Sequence, residues 1–376
     1  MGWFSTSETE YVGSRDKIRH TKQPQSGIAK TNEFVERRSG LLTHTIAPTR
    51  IILFMRRTRF GRTNADVSAV SLGTWGYSGT FEVDGVPVGW SGHDDDLARQ
   101  AVVQAWNEGI NHWDTADVYG DGRSESIIGG VWDQVPRDAI FLATKVGWSP
   151  GTYPHCYHPA LIRERLERSL ENLRTDRIDL YYMHHCDFGD NGEYFDDAIE
   201  TIRRARDEGK IRFIGLSDWD ATKIMRYVDR CDPDAVQPYR NVVDDAFVTS
   251  GLREWVGTHD LGVAFFSPIK HGLLLGKYDK PAEFPAGDFR RRIPEFADEA
   301  FLERMQVAKR AMEERFSASS EPVLHAVLGA LLADTPTGCV LLGQRNPRQV
   351  KAASQVGEPL TAEDAAWVRA VYNGEQ

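Results

Sequence analysis

Cysteine is scarce in this chain: four residues in 376, Cys156, Cys186, Cys231 and Cys339, with no C-x-x-C pair among them. That argues against a disulfide framework and reads as reduced thiols of an intracellular protein. Long apolar runs are also missing. The longest near the N-terminus, Ile51 to Met55, is far too short for a membrane span or a signal-peptide core. No membrane partner is therefore expected, and the cytoplasm is the expected location. Basic residues are not in excess, with 45 Lys and Arg against 55 Asp and Glu and a formal charge of -10. Nonspecific nucleic-acid binding needs a concentrated basic surface, so no nucleic-acid partner is expected. No G-x-G-x-x-G stretch follows a strand pattern, which removes the glycine-rich Rossmann turn as a dinucleotide site.

What is present is an ordinary globular composition, 41% hydrophobic and 27% charged. The chain is long for one average domain, but a (β/α)8 barrel with insertions reaches this size as a single unit. Residues 1–54 stand apart. They hold eight Lys or Arg and five Asp or Glu, with no sustained period of 2 or 3.6. They read as a poorly ordered extension, or as translation upstream of a start at Met55; a short cap packed on the domain is the other reading. From Met55 to residue 376 apolar runs alternate with amphipathic ones, the pattern of βα units. Strands are expected at Val70 to Gly73, Ile110 to Asp114, Ala139 to Thr144, Ile178 to Met183, Ile211 to Leu216, Ala235 to Gln237, Val263 to Phe266 and Gly338 to Leu342. Helical patterns lie between them, including one over 94–108 whose apolar face is Leu97, Ala101, Val102 and Ala105, and one over 247–259. Residues 268–299 read as a long loop rich in Gly, Pro and Arg, of a length that usually serves a purpose. Eight strands separated by helices predict a single (β/α)8 TIM barrel. The oligomeric state is left open.

Several strand ends share one feature: apolar residues give way to ionisable or hydroxyl-bearing ones. Asp114, Lys145, His184, the pair Ser217 and Asp218, and Gln237 all sit at such ends. In a barrel these ends open onto one face, so residues distant in sequence converge there. Any one of them alone would pass as a polar residue at a strand edge. The set is poorly explained that way.

The run from Asn111 through Asp114 and Tyr119 to Glu125 closely resembles the signature that opens the active site of aldo-keto reductases. Ala143-Thr144-Lys145-Val146, the stretch Asp179 to His184, Gly215-Leu216-Ser217-Asp218, Gln237-Pro238-Tyr239-Arg240, Phe266-Ser267-Pro268 and Leu342-Gly343-Gln344-Arg345 are similar to later landmarks of that family, in the same order. The resemblance spans about residues 57 to 356. It implies hydride transfer between NADP(H) and a small carbonyl or alcohol substrate, with Tyr119 as proton donor. Lys145 would supply the cation that lowers the tyrosine pKa toward useful acid-base work. Asp114 would hold that lysine, and His184 would donate to the substrate oxygen. Ser217, Asp218 and Gln237 would hold the nicotinamide amide, and Phe266, followed by Ser267, would offer a flat face to the ring. Gly343, Arg345 and Gln349 follow strand eight at a helix start, where backbone N-H groups suit an anion and Arg345 suits a ribose phosphate. Arg348 reads as a solvated helix-start residue.

Two positions depart from the family pattern. Asp218 stands where many members have asparagine, and an ionised carboxylate accepts hydrogen bonds without donating one. Ala353 stands where an adenine-contacting asparagine is frequent. A zinc site is the competing reading of His155, Cys156 and His158 with His184, His185 and Cys186, but neither cluster has an established ligand spacing, and no metal is expected. Trp75, Tyr77, Trp90, Trp113 and Trp148 near loop ends favour an apolar or ring-containing carbonyl. A nucleotide-binding regulatory protein with weak or vestigial reductase activity is the alternative to an enzyme.

Overall fold

Eight short strands pair in sequence order, each parallel to its neighbours: Val70–Gly73 (β1), His112–Asp114 (β2), Phe141–Val146 (β3), Ile178–Met183 (β4), Ile211–Asp218 (β5), Ala235–Pro238 (β6), Gly262–Phe265 (β7) and Gly338–Gly343 (β8). β8 returns to β1, with Val340 opposite Val70 and Gly343 opposite Gly73, and closes a (β/α)8 barrel. The structure is a computed structural model that describes residues 55–83 and 85–375. The extension expected over 1–54 lies outside them.

Side chains alternate along each strand between the barrel interior and the helix layer. The interior set includes Phe141 and Ala143, Leu180 and Tyr182, Ala235, Ala264, Cys339 and Leu341. Continuing each series by two residues toward the C-terminal end reaches Lys145, His184 and Gln237. The same alternation joins His112 to Asp114. Strand periodicity thus carries these polar groups to the barrel axis at its mouth, and it turns His185 the other way.

The outward side chains pack against the helices, beginning with Asp95–Asn107 (α1). Asp94 caps α1 by accepting the Leu97 N-H at 2.9 Å. The buried stripe is Ala98, Ala101, Val102 and Ala105. Leu97 was expected on that stripe and is instead 43% exposed, because it lies one residue, about 100°, off the 98/101/102/105 line. The helix expected over 247–259 is broken at Gly251, which adopts φ +83° between Ala246–Thr249 and Leu252–His259.

An antiparallel pair, Arg57–Arg59 with Asp66–Ser68, lies before the first barrel strand. The residue after its first strand, Phe60, is fully buried, with its ring 5.3 Å from His112 and 5.7 Å from Phe141. Phe60 therefore plugs the barrel floor. Gly61 (φ +52°) lets the turn approach β7, since a Cβ there would lie 2.2 Å from the Gly262 nitrogen. At the other end, the loop over 268–299 contains three short 3-10 segments, Lys270–Leu275, Phe289–Arg292 and Pro294–Phe296. It is tied to the loop after β1 by a bridge between Gly89 and Asp288. The Asp288 carboxylate accepts from the Ser91 N-H at 2.9 Å and from Arg290 Nη2 at 2.6 Å. This loop roofs the mouth.

Candidate active site

Lys145 is 1% exposed at the end of β3, and its ammonium has three partners. Nζ donates to Asp114 Oδ1 at 2.5 Å, to the Thr115 carbonyl at 2.7 Å and to Tyr119 Oη at 3.5 Å. Gln237 Nε2 donates to the other Asp114 oxygen at 2.9 Å. Tyr119 leaves the strand on the turn after β2 and lies edge-on to His184, centroids 5.8 Å apart. Four expected residues from three strand ends and one loop thus meet around one point.

Burial sets the protonation of these groups. It pushes Lys145 down and Asp114 up, and the contact between the two opposes both shifts. Tyr119 is raised well above the usual phenol value by burial, with the Asp114 and Asp117 carboxylates adding to it. The resemblance implies a Tyr119 pKa lowered by Lys145; here burial is the largest influence and acts the other way, and the ammonium is engaged by Asp114. Tyr119 therefore carries its proton at neutral pH. His184 is held well below its usual value by burial and then by Lys145, so its ring is neutral. Its Nδ1 is buried with no partner among the described residues.

Above these groups lies a cavity of about 200 Å3. Asp114, Tyr119, His184, Ser217, Gln237, Phe266, Ser267, Gly343, Arg345 and Gln349 all line it. Lys145 sits beneath it. Asp218 does not reach it: its oxygens accept the N-H groups of Cys186 at 2.7 Å and of Asp220 at 2.8 Å. The helix start after β8 is likewise engaged internally. Asn346 accepts the Gln349 N-H at 3.0 Å, and Gln349 Oε1 accepts the Arg345 N-H at 2.7 Å. Those are N-H groups that the sequence reading left free for an anion. Ala353 is fully buried in the core, and Arg348 is exposed.

The cavity wall carries both aromatic rings and cations. Trp75 stacks on Tyr119 with centroids 6.0 Å apart and planes 19° from parallel, and Trp148 packs on His184 at 5.1 Å. Trp219 reaches both Trp75 and Phe266. Trp113, grouped with these from sequence, is instead core: it stacks on Trp132 at 5.6 Å. Arg345, 5.9 Å from the Trp90 ring, and Lys277 also line it, neither with a carboxylate partner among the described residues, while Arg290 is held by Asp288. Arg345 donates to the Ser91 carbonyl at 2.9 Å. Its stem lies over Gly76, where a Cβ would come within 2.6 Å of it. Lys277 was not singled out from sequence, because a lone lysine in a long loop carries no signal until the loop is placed.

The zinc reading brings its two clusters only partly together. Cys156 Sγ lies 3.8 Å from His155 Nδ1 and 3.9 Å from His185 Nε2. Among the described residues no group of three or more His, Cys, Asp or Glu is arranged to hold a metal ion. No helix among them is long and apolar enough to cross a membrane.

A closed parallel barrel with ionisable side chains gathered at its strand ends defines a (β/α)8 barrel with its candidate site at the mouth. The Aldo/keto reductase family model matches residues 69–373, and the chain belongs to that family. It is 31% identical to an aldo-keto reductase of Schizosaccharomyces pombe named for NADP(+), over 65% of this chain and 70% of that protein. It is 29% identical to an NADH-specific methylglyoxal reductase of Escherichia coli, over 59% of this chain and 70% of that protein. A solved glycerol dehydrogenase of Gluconobacter oxydans superposes with a TM-score of 0.69 at 28% identity, covering 84% of this chain and 94% of the other.

Proposed function

We propose that the chain is an NADP(H)-dependent carbonyl reductase in which Tyr119 is the general acid. The observation that carries this is the buried Lys145 ammonium between Asp114 at 2.5 Å and the Tyr119 hydroxyl at 3.5 Å, with that hydroxyl and His184 facing one cavity. A bound nicotinamide cofactor supplies the hydride. As charge grows on the carbonyl oxygen, the protonated Tyr119 phenol delivers its proton there, and the adjacent ammonium favours the phenolate left behind. Neutral His184 donates a second hydrogen bond to the same oxygen. For oxidation of an alcohol the same groups run in reverse.

The residues at the mouth fit the cofactor. Lys277 and Arg345, cations with no carboxylate partner among the described residues, suit its phosphates. Ser267, Lys270 and His271 adopt φ +55°, +44° and +58° in the loop after β7, strained backbone of the kind found where a chain is shaped around a ligand. Relatives differ in the nicotinamide cofactor they are named for, so the preference for NADPH rests on this chain's own cations. The ring-lined wall beside Tyr119 favours an apolar or ring-containing aldehyde or ketone.

The test is Tyr119→Phe, which keeps the ring and removes the proton donor. Loss of general acid catalysis is worth about 10²- to 10⁴-fold. We expect turnover of a good aldehyde to fall by about a hundredfold or more, with NADPH affinity nearly unchanged. Turnover at the parent rate would remove Tyr119 as the donor.

A further inference from the structure

The resemblance assigns the Gln237 side chain to the nicotinamide amide, and in this structure its donor end already has a second partner. Its Nε2 donates to Asp114 Oδ2 at 2.9 Å, opposite the oxygen that Lys145 holds at 2.5 Å. Both residues are buried, Gln237 at 2% and Asp114 at 3% exposure. The strand itself is steadied beside this contact, since Ser217 Oγ donates to the Gln237 carbonyl at 2.9 Å. Asp114 therefore has one donor for each oxygen: a cation on one side and a neutral amide on the other.

Resting on the proposed function, we infer that Gln237 is a positioning residue for proton transfer, acting through Asp114 on Lys145 and Tyr119. A carboxylate shut away from water needs donors on both oxygens, or the charged form is disfavoured. Lys145 alone satisfies one. The amide fills the second without adding charge, so Asp114 stays ionised and Lys145 stays directed at Tyr119. In keeping with this, the hydrogen bond from Gln237 is among the influences that draw the Asp114 pKa down against burial. The other titratable groups around this point are Lys145 from β3, Tyr119 and Asp117 from the turn after β2, Glu125 from the helix Arg123–Gly129, His112 from β2, Tyr182 and His184 from β4 and its end, and Cys339 from β8.

The test pairs two substitutions whose expected effects run in opposite directions on pH. Gln237→Met keeps length and removes the donor, so Asp114 protonates more readily and the acid limb of the kcat profile moves to higher pH. Gln237→Glu offers a donor only while its new carboxyl is protonated, so activity survives at low pH and the alkaline limb moves down. A hydrogen bond to a charged group is worth ~1.5–3 kcal/mol, so kcat for Gln237→Met should fall about tenfold or more at neutral pH. Profiles are read at saturating NADPH, fixed by fluorescence titration of each variant, so that any change in cofactor affinity does not enter kcat. Unfolding midpoints identify any variant that fails to fold, and the other variant then carries the comparison. Unchanged pH profiles for both variants at saturating cofactor, in a parent that reduces carbonyls, would overturn the inference, whatever happens to NADPH binding. A parent protein that reduces no carbonyl overturns the proposed function and this inference with it, whereas an active parent with unchanged variant profiles overturns this inference alone.

Discussion

At the floor of the barrel His112 is enclosed by Phe60 and Phe141, with one ring nitrogen 2.9 Å from Ser71 Oγ and no charged partner in contact among the described residues. At the mouth, two residues further along the same strand, Asp114 is enclosed as fully but holds Lys145 at 2.5 Å. Burial pushes His112 down to about 3, which leaves it neutral at any pH where the protein works. The mouth pair keeps its charges because each compensates the other. One strand thus shows both fates of a buried titratable group: neutralisation where it has no counter-charge, and a held ion pair where it has one. The floor spends polarity on nothing but packing. The mouth keeps charge within reach of a cavity.

Lys145→Met should separate the two regions most strongly. It leaves the Asp114 carboxylate buried without its cation, a change that costs about 3–5 kcal/mol. We expect the denaturant midpoint and turnover to fall together, measured on the same preparation. Retained stability and turnover would mean that the pair contributes to neither.

Phe60→Ala tests the floor by the opposite pattern. Removing a buried phenylalanine costs about 3–5 kcal/mol through lost burial and the cavity left behind. The unfolding temperature should drop while kcat per folded molecule stays close to the parent value. A matching loss of turnover in folded protein would show that the floor shapes the mouth.

These contrasts also mark what could be read in the sequence. Barrel strands were legible because short apolar runs such as Phe141 to Ala143 and Leu180 to Met183, buried on both faces, stand between longer amphipathic stretches, and each such run ends on a polar group of the site. The Arg57–Arg59 and Asp66–Ser68 pair was not legible: three residues are too few to show a period, and its stability comes from Phe60 entering a barrel assembled by distant strands. Side-chain partners were harder still. Asp218 turning to Cys186, and Gln349 turning back to the Arg345 N-H, depend on loop placement that no local pattern encodes. The Lys277 approach to Arg345 is legible only once residues 268–299 are folded over the mouth.

Within the cavity, the aromatic and cationic side chains give a smaller contrast. Arg345→Ala should weaken NADPH about tenfold to a hundredfold, since a hydrogen bond to a charged partner is worth about 1.5–3 kcal/mol. NADH binding should change far less, and the NADPH loss should shrink as salt is raised. Dissociation constants for both cofactors check this. Equal weakening would move Arg345 to the part that the two cofactors share.

Hydride transfer itself is the claim on which the account turns, and isotope labelling reads it without reference to any variant. The purified protein is incubated with an aromatic aldehyde and NADPH carrying deuterium at the transferable position of nicotinamide C4, and the product alcohol is analysed by mass spectrometry and NMR. The account predicts one deuterium on the carbinol carbon, in step with NADPH consumption, and a solvent-derived proton on the oxygen. Alcohol formed without deuterium at that carbon, with either C4 hydrogen labelled, or NADPH left unconsumed across a panel of aldehydes, ketones and quinones, would contradict it.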